Sequence, residues 1–180
     1  MEPLEELEGA HIALLGLGIS QIDYVIAREN SVNWDETWGC GSSAAVFDLD
    51  RLFMMDPAGR FFDTDDAGKQ TDVMREILPV LDIPIYSCEL DDRVPWIVEY
   101  PLQEVVEATK CAYMNTTVAY AVAFAYWNNV AHIDLFGIDF SYQKMMFGLC
   151  ATSRKWKKGL LAARQRFKKN QRRQSRSRDD

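Results

Sequence analysis

The sequence predicts an α/β fold in three layers, a mostly parallel sheet with helices on both faces, followed by a basic C-terminal helix. Three observations predict it. Short apolar runs alternate with amphipathic stretches about five times over residues 1–150. The first run, in "HIALLGLGIS" (11–20), is apolar at consecutive positions, as a strand covered on both faces of a parallel sheet requires. Composition agrees: 180 residues with 48% hydrophobic and 12% aromatic side chains can bury a real core, which a disordered chain could not.

The elements follow in order. Residues 11–17 make the first strand. Ser20 with Asp23 forms a capping-box pattern, and Ile22, Val25 and Ile26 recur at helical spacing, which predicts a helix over 20–29 capped by Ser20. "NSVNWDE" reads as a loop, and "TWGCG" (37–41) as a second strand leaving through Gly39 and Gly41. "RLFMMD" (51–56) is a third strand ending on an acid, and "PAG" turns the chain after it. Residues 57–68, with Asp63, Asp65, Asp66 and Gly68, read as an exposed loop. "TDVMREILPVLD" places Val73, Ile77, Val80 and Leu81 on one face of a helix starting at a Thr71 cap, with Pro79 near its end.

"IPIYS" (83–87) is a fourth strand, and Pro101 is placed to open the short helix "PLQEVVEAT". Residues 111–131 carry no charge, a membrane-spanning length. Asn115, Thr116, Thr117, Asn128 and Asn129 interrupt it, however, so 116–128 reads as a buried helix and no transmembrane segment is expected. "HIDLFG" (132–137) is a fifth strand, with Gly137, Ile138 and Asp139 at its carboxyl end. The whole is Rossmann-like, without an evident internal repeat. Residues 1–150 form the α/β domain and 151–180 a basic helical, partly disordered tail.

The net charge of −7 conceals an asymmetry. Residues 151–180 hold 12 of the 20 basic residues and 2 of the 27 acidic ones, a net of +10; residues 1–150 are left with 8 basic and 25 acidic, a net of −17. An acidic body with a basic tail argues against nucleic acid lying across the body. In the tail, Trp156, Leu160, Ala163 and Phe167 recur at helical spacing among Lys and Arg. Such a helix can meet an acidic partner, nucleic acid or an anionic surface, or dock its apolar stripe on the body.

Cys40, Cys88, Cys111 and Cys150 are widely spaced, and with only His11 and His132 besides them zinc-ligand spacing is absent. Free thiols in a reducing cytoplasm are expected. The acidic start "MEPLEELEGAH" does not read as a signal peptide.

In sheets of this type ligands sit outside the carboxyl ends of the strands. Three clusters fall there: Gly16, Gly18 and Ser20; Met55 and Asp56; Gly137 and Asp139. Each has a plainer reading. The glycines suit a tight turn, Ser20 a helix cap, Thr116 and Thr117 a cap on the long helix, and Asp56 a turn before Pro57. His11 and His132 read as structural, Trp34, Trp38 and Trp96 as core or rim packing, and the acidic loop 63–66 as a solvated surface. Asp139 is the strongest single candidate for a polar role.

With the strands placed, "MNTTVAYAVAFAYWNNVAHIDLFGIDF" (114–140) resembles a segment of bacterial sialyltransferases that use CMP-activated sugars. There a Thr-Ser-Gly turn opens an Ala-rich helix and the next strand ends in Gly-Ile-Asp-Phe. "GLGIS" (16–20) is similar to their Gly-Asn-Gly-Pro-Ser loop. "YPLQEVVEA" followed by "AYMNTTVAYAVA" resembles a group of phage proteins labelled norphogenetic or morphogenetic, related to an archaeal pterin diphosphokinase and to these glycosyltransferases.

The resemblance covers about residues 11–143. It implies a glycosyltransferase-like phage protein in the host cytoplasm that binds a nucleotide or a CMP-linked nucleotide-sugar. Gly16, Gly18, Ser20, Thr116, Thr117 and Gly137 would hold the nucleotide, while Asp139 and Tyr142 would serve catalysis. The sequence departs from that pattern at Leu17, Ile19, Val118 and Ser141, and no histidine follows His132 to take the place of the family's base. Those departures suit an alternative, a catalytically inactive protein of the same fold used in virion assembly or host interaction. A third reading, a pterin or nucleotide kinase-like transferase, would need a phosphate-binding metal held by the acidic loop.

Overall fold

A computed structural model describes residues 1–139 of the chain. The expectations for Tyr142, Cys150, the boundary at residue 150 and the basic tail lie outside the described residues.

Eleven principal elements follow one another: β1 (His11–Leu15), α1 (Gln21–Glu29), β2 (Glu36–Cys40), β3 (Arg51–Met54), α2 (Gly59–Phe62), α3 (Lys69–Ile77), β4 (Ile85–Ser87), β5 (Ile97–Glu99), α4 (Leu102–Thr109), α5 (Thr117–Trp127) and β6 (His132–Phe136). The strands form one six-stranded sheet in the order β5-β4-β3-β2-β1-β6, and every neighbouring pair is parallel. This is the three-layer, Rossmann-like α/β architecture that the apolar runs predict.

Strand alternation divides the core in two. Ile12 and Leu14 point to one face, where they meet Trp38, Phe53, Tyr86, Val105 of α4 and Phe124 of α5. Ala13 and Leu15 point to the other, with Tyr24 of α1, Phe61 of α2, Met74 of α3 and Ile85. The two faces follow from chain direction. From β1 to β5 the strands advance one way across the sheet, whereas the step from β5 to β6 runs back past β1. Parallel crossovers keep a right-handed sense, so reversing the advance transfers the connecting helices to the opposite face. Phe124, fully buried, centres an aromatic cluster with Trp38, Phe53, Tyr86, Tyr100 and Trp127 at ring separations of 4.6–6.1 Å.

At the other rim of the sheet Arg51 is buried. Its Nε and Nη2 donate to the Glu36 carboxylate at 2.8 and 2.9 Å, and Nη2 also reaches Glu6 at 3.1 Å. A buried guanidinium needs such partners, since an isolated charge is costly away from water.

Several expectations are corrected. The sheet has six strands rather than five, because Ile97–Glu99 also pairs, with β4. The loop expected over 57–68 contains α2, which buries Phe61 against the core. Helix α3 starts at Lys69 rather than at a Thr71 cap, and its buried stripe is Thr71, Met74 and Leu78, leaving Val80 exposed. The first strand ends at Leu15, two residues early, because Gly16 turns into the α1 loop. The capping role expected of Ser20 is not realised: its side chain makes no bond to α1. Its partners are described below. Strands β1 and β6 pair in register, with His11 opposite His132 and Leu14 opposite Leu135. No helix among the described residues is long and apolar enough to cross a membrane.

Candidate functional site

Sheet order reverses between β1 and β6, so their carboxyl ends mark the crevice where folds of this kind hold ligands. In this protein the two exit loops fill that crevice with each other. The Gly16 and Gly18 amides donate to Phe136 and Gly137 carbonyls at 2.8 and 2.7 Å. The Gly137 amide donates to Ser20 Oγ at 2.9 Å, and that hydroxyl donates onward to Asp139 Oδ1. The Ser20 amide donates to Asp139 Oδ2 at 3.0 Å. Beneath them the buried Gln21 side-chain amide donates to the Gly16 carbonyl.

These contacts account for two of the glycines. A Cβ on Gly18 would lie 2.8 Å from the Gly137 carbonyl oxygen and closer still to the Asp139 carboxylate. Gly137 sits at φ +67°, left-handed backbone that favours glycine, and a Cβ there would press on Gln21 and Gly16. Asp139, the strongest sequence candidate, is tied by two donors to the start of α1. The Ser20 hydroxyl and then its amide hold the Asp139 carboxyl below its ordinary range. Its carboxylate occupies the helix N-terminus where a ligand phosphate would otherwise gain from the dipole.

The open space lies beside this lock. A cleft of about 800 Å³ runs along the carboxyl ends of β1, β2 and β3 to the start of α5, bounded by Gly16, Gly18, Asp56, Thr116, Thr117 and Asp139 among others. Its size falls within the range that holds a small molecule. Met54, Met55, Met114 and Tyr120 supply an apolar wall, and Leu17 and Val118 line the cleft without closing it. The Arg60 guanidinium at its edge donates to Asp56 and Asp66, and these bonds, that to Asp56 first, raise its pKa.

At the α5 end, Thr116 has extended backbone and its Oγ1 accepts from the Ala119 amide at 3.2 Å. The capping reading of Thr116 is therefore realised, whereas Asp56 lines the cleft and its side chain pairs with Arg60. Of the residues singled out from sequence, Gly16, Gly18, Thr116, Thr117, Gly137 and Asp139 all border the cleft. Ser20 meets Asp139 at its margin. Tyr142 is outside the described residues.

The acidic loop is not a free patch of carboxylates. Asp63 pairs with Arg93 at 2.7 Å, Asp65 with Arg75 at 3.0 Å and Asp66 with Arg60 at 3.2 Å. Cys40, Cys88 and Cys111 are free thiols. Trp38 is core, Trp96 is half exposed, and Trp34 stacks on Tyr24.

One cluster has no counterpart in the sequence reading. His11, His132 and Asp134 come together at the amino ends of β1 and β6. His132 and Asp134 share a face of β6 by their spacing of two, but only the in-register pairing of β1 with β6 brings His11 to them.

Comparison with protein-family models, with curated proteins and with solved structures finds no match to the chain.

Proposed function

We propose that the protein binds a nucleotide, of the nucleotide-sugar kind, in the cleft at the carboxyl ends of its strands. One observation carries this reading: four chain segments far apart in sequence, ending β1, β3 and β6 and starting α5, border a single cleft of about 800 Å³. The base lies against Met54, Met55, Met114 and Tyr120. The phosphate meets the first amides of α5, beside the Thr116 and Thr117 hydroxyls, where backbone N–H groups and the helix dipole favour an anion. The α1 terminus is left out of this scheme because Asp139 already satisfies it.

The test is calorimetry of the protein with CMP, CDP, UDP, GDP and a CMP-linked sugar, repeated on Thr117→Asp. An acid in the first turn suits α5 through its dipole, so the variant keeps its fold while repelling phosphate. Binding of at least one nucleotide, weakened tenfold or more in Thr117→Asp, is the expected result. Absence of heat with every nucleotide, or equal affinity in the variant, overturns it.

One observation favours the second reading, a protein of this fold that binds without transferring sugar and serves virion assembly or host interaction. The Asp139 carboxylate, the acid nearest the cleft's glycine loops, is engaged by Ser20 rather than directed at an acceptor hydroxyl. Transfer of sugar from a bound CMP-sugar to an acceptor, or its absence, separates the two.

A further inference from the structure

The rim opposite the cleft carries the three-residue cluster. His11 opens β1 and His132 opens β6, and the two strands pair with these residues directly opposite. Equal register puts both imidazoles on one face, and Asp134, two residues along β6, returns to that face. Both rings present the same atom: His11 Nε2 lies 2.9 Å from Asp134 Oδ2 and His132 Nε2 lies 3.1 Å from Asp134 Oδ1. The rings meet edge to face with centroids 4.7 Å apart.

We propose that His11, His132 and Asp134 form a binding site for a divalent transition-metal ion, with both imidazoles bound through Nε2 and the carboxylate through Oδ1. The donor set of two neutral imidazoles and one carboxylate suits zinc and its neighbours. One donor atom from each of the three residues lies within 4.8 Å of the other two. Ligands about 2.1 Å from a common ion are about 3.0–3.4 Å apart; His132 Nε2 stands 3.1 Å from Asp134 Oδ1, and His11 Nε2 stands 2.9 Å from the other oxygen of the same carboxylate.

The surroundings supply what such a site needs beyond its ligands. The Trp34 indole N–H donates to Asp134 Oδ2 at 2.7 Å, which fixes the carboxylate's orientation and leaves Oδ1 toward His132. Metal-bound carboxylates are held by outer hydrogen bonds of this kind. The Asp35 carboxylate accepts from the His11 backbone amide at 2.8 Å and ties down the start of β1. The side chains of His11, His132 and Asp134 are 39%, 63% and 33% exposed, so an ion has a path in and water can complete its coordination. The ion clasps β6, the last strand among the described residues, to β1. The site stands apart from the cleft and does not depend on what the cleft binds.

The experiment is titration of the full chain with Zn²⁺ by calorimetry at pH 7.5, in a background with Cys88, Cys111 and Cys150 replaced by Ser so that thiolates do not compete. One equivalent binding with micromolar affinity is expected. His132→Ala, at an exposed position that tolerates the change, and Asp134→Asn each weaken it tenfold or more, and Trp34→Phe weakens it about tenfold through the lost N–H bond. Circular dichroism checks that each variant is folded. Co²⁺ in the same background gives a ligand-field spectrum that His132→Ala removes. No binding in the background protein, or binding unchanged in both His132→Ala and Asp134→Asn, overturns the proposal.

Discussion

Replacing Asp139 tests whether this carboxylate is a lock or a free catalytic group. Asp139→Ala strips the acceptor from the Ser20 amide and hydroxyl, and the hydroxyl in turn supports the Gly137 amide at 2.9 Å. Hydrogen bonds to a charged acceptor contribute about 1.5–3 kcal/mol each, and an acid at a helix start about 0.3–1 kcal/mol more. Both donors belong to one half-exposed residue, so the terms overlap, and a net loss of about 2–3 kcal/mol is expected. For a domain of this size that corresponds to a fall in Tm of about 10 °C.

Asp139→Asn keeps one oxygen acceptor and loses about half as much. The pH dependence has a definite sign. The folded carboxyl titrates below the unfolded value of 3.8, so its stabilisation is complete above that value and decays as pH falls through the folded pKa. The gap between wild type and Asp139→Asn therefore closes below about pH 4. Differential scanning calorimetry across pH 3–7 measures both. A Tm change under about 1 °C in Asp139→Ala, together with loss of ligand binding or turnover, would refute the lock and return Asp139 to the chemistry.

Phe124→Ala empties the centre of the aromatic cluster and costs about 3–5 kcal/mol, read as a lower urea midpoint. Against a typical total of about 5–15 kcal/mol that is a large share of the stability. Glu36→Ala leaves the buried Arg51 charge with only the more exposed Glu6 and the Tyr86 hydroxyl, at a cost of about 3–5 kcal/mol. Adding Arg51→Met to that variant recovers most of the loss in the same urea assay, since no charge is then stranded. Burial pushes the Cys40 thiol up to about 12. In the native protein, peptide mapping after a thiol reagent finds Cys88 and Cys111 modified and Cys40 untouched until denaturant is added.

Much of the fold was legible because the apolar runs are strong where strands are covered on both faces. Ile12 to Leu15 and Arg51 to Met54 are buried at every position. Strand β5 escaped notice because it has three residues, Ile97–Glu99, none of them buried, and such a segment carries no periodicity. Helix α3 was displaced because Val73, Ile77 and Val80 satisfy helical spacing as well as Thr71, Met74 and Leu78 do. Only the sheet decides which stripe is covered.

The cleft's borders at Gly16, Asp56 and Asp139 were legible from strand-end position, and Thr116 only through the likeness of its turn to the sialyltransferase segment. The bond between Ser20 and Asp139 was not, since it spans 119 residues and needs the β1–β6 pairing to exist. The same pairing hides the cluster, since it alone adds His11 to His132 and Asp134.

Placing β6 beside β1 also sets a timetable for the growing chain. The contact from His11 to Asp134 bridges 123 residues, so the first strand leaves the ribosome long before its second neighbour exists. At synthesis rates of about 5–20 residues per second that wait is roughly 6–25 s. Throughout it, one side of an apolar strand offers unpaired amides and carbonyls to any passing chain. The sheet is sealed from its far end, and a polypeptide stopped before residue 132 keeps its oldest strand permanently open on that side.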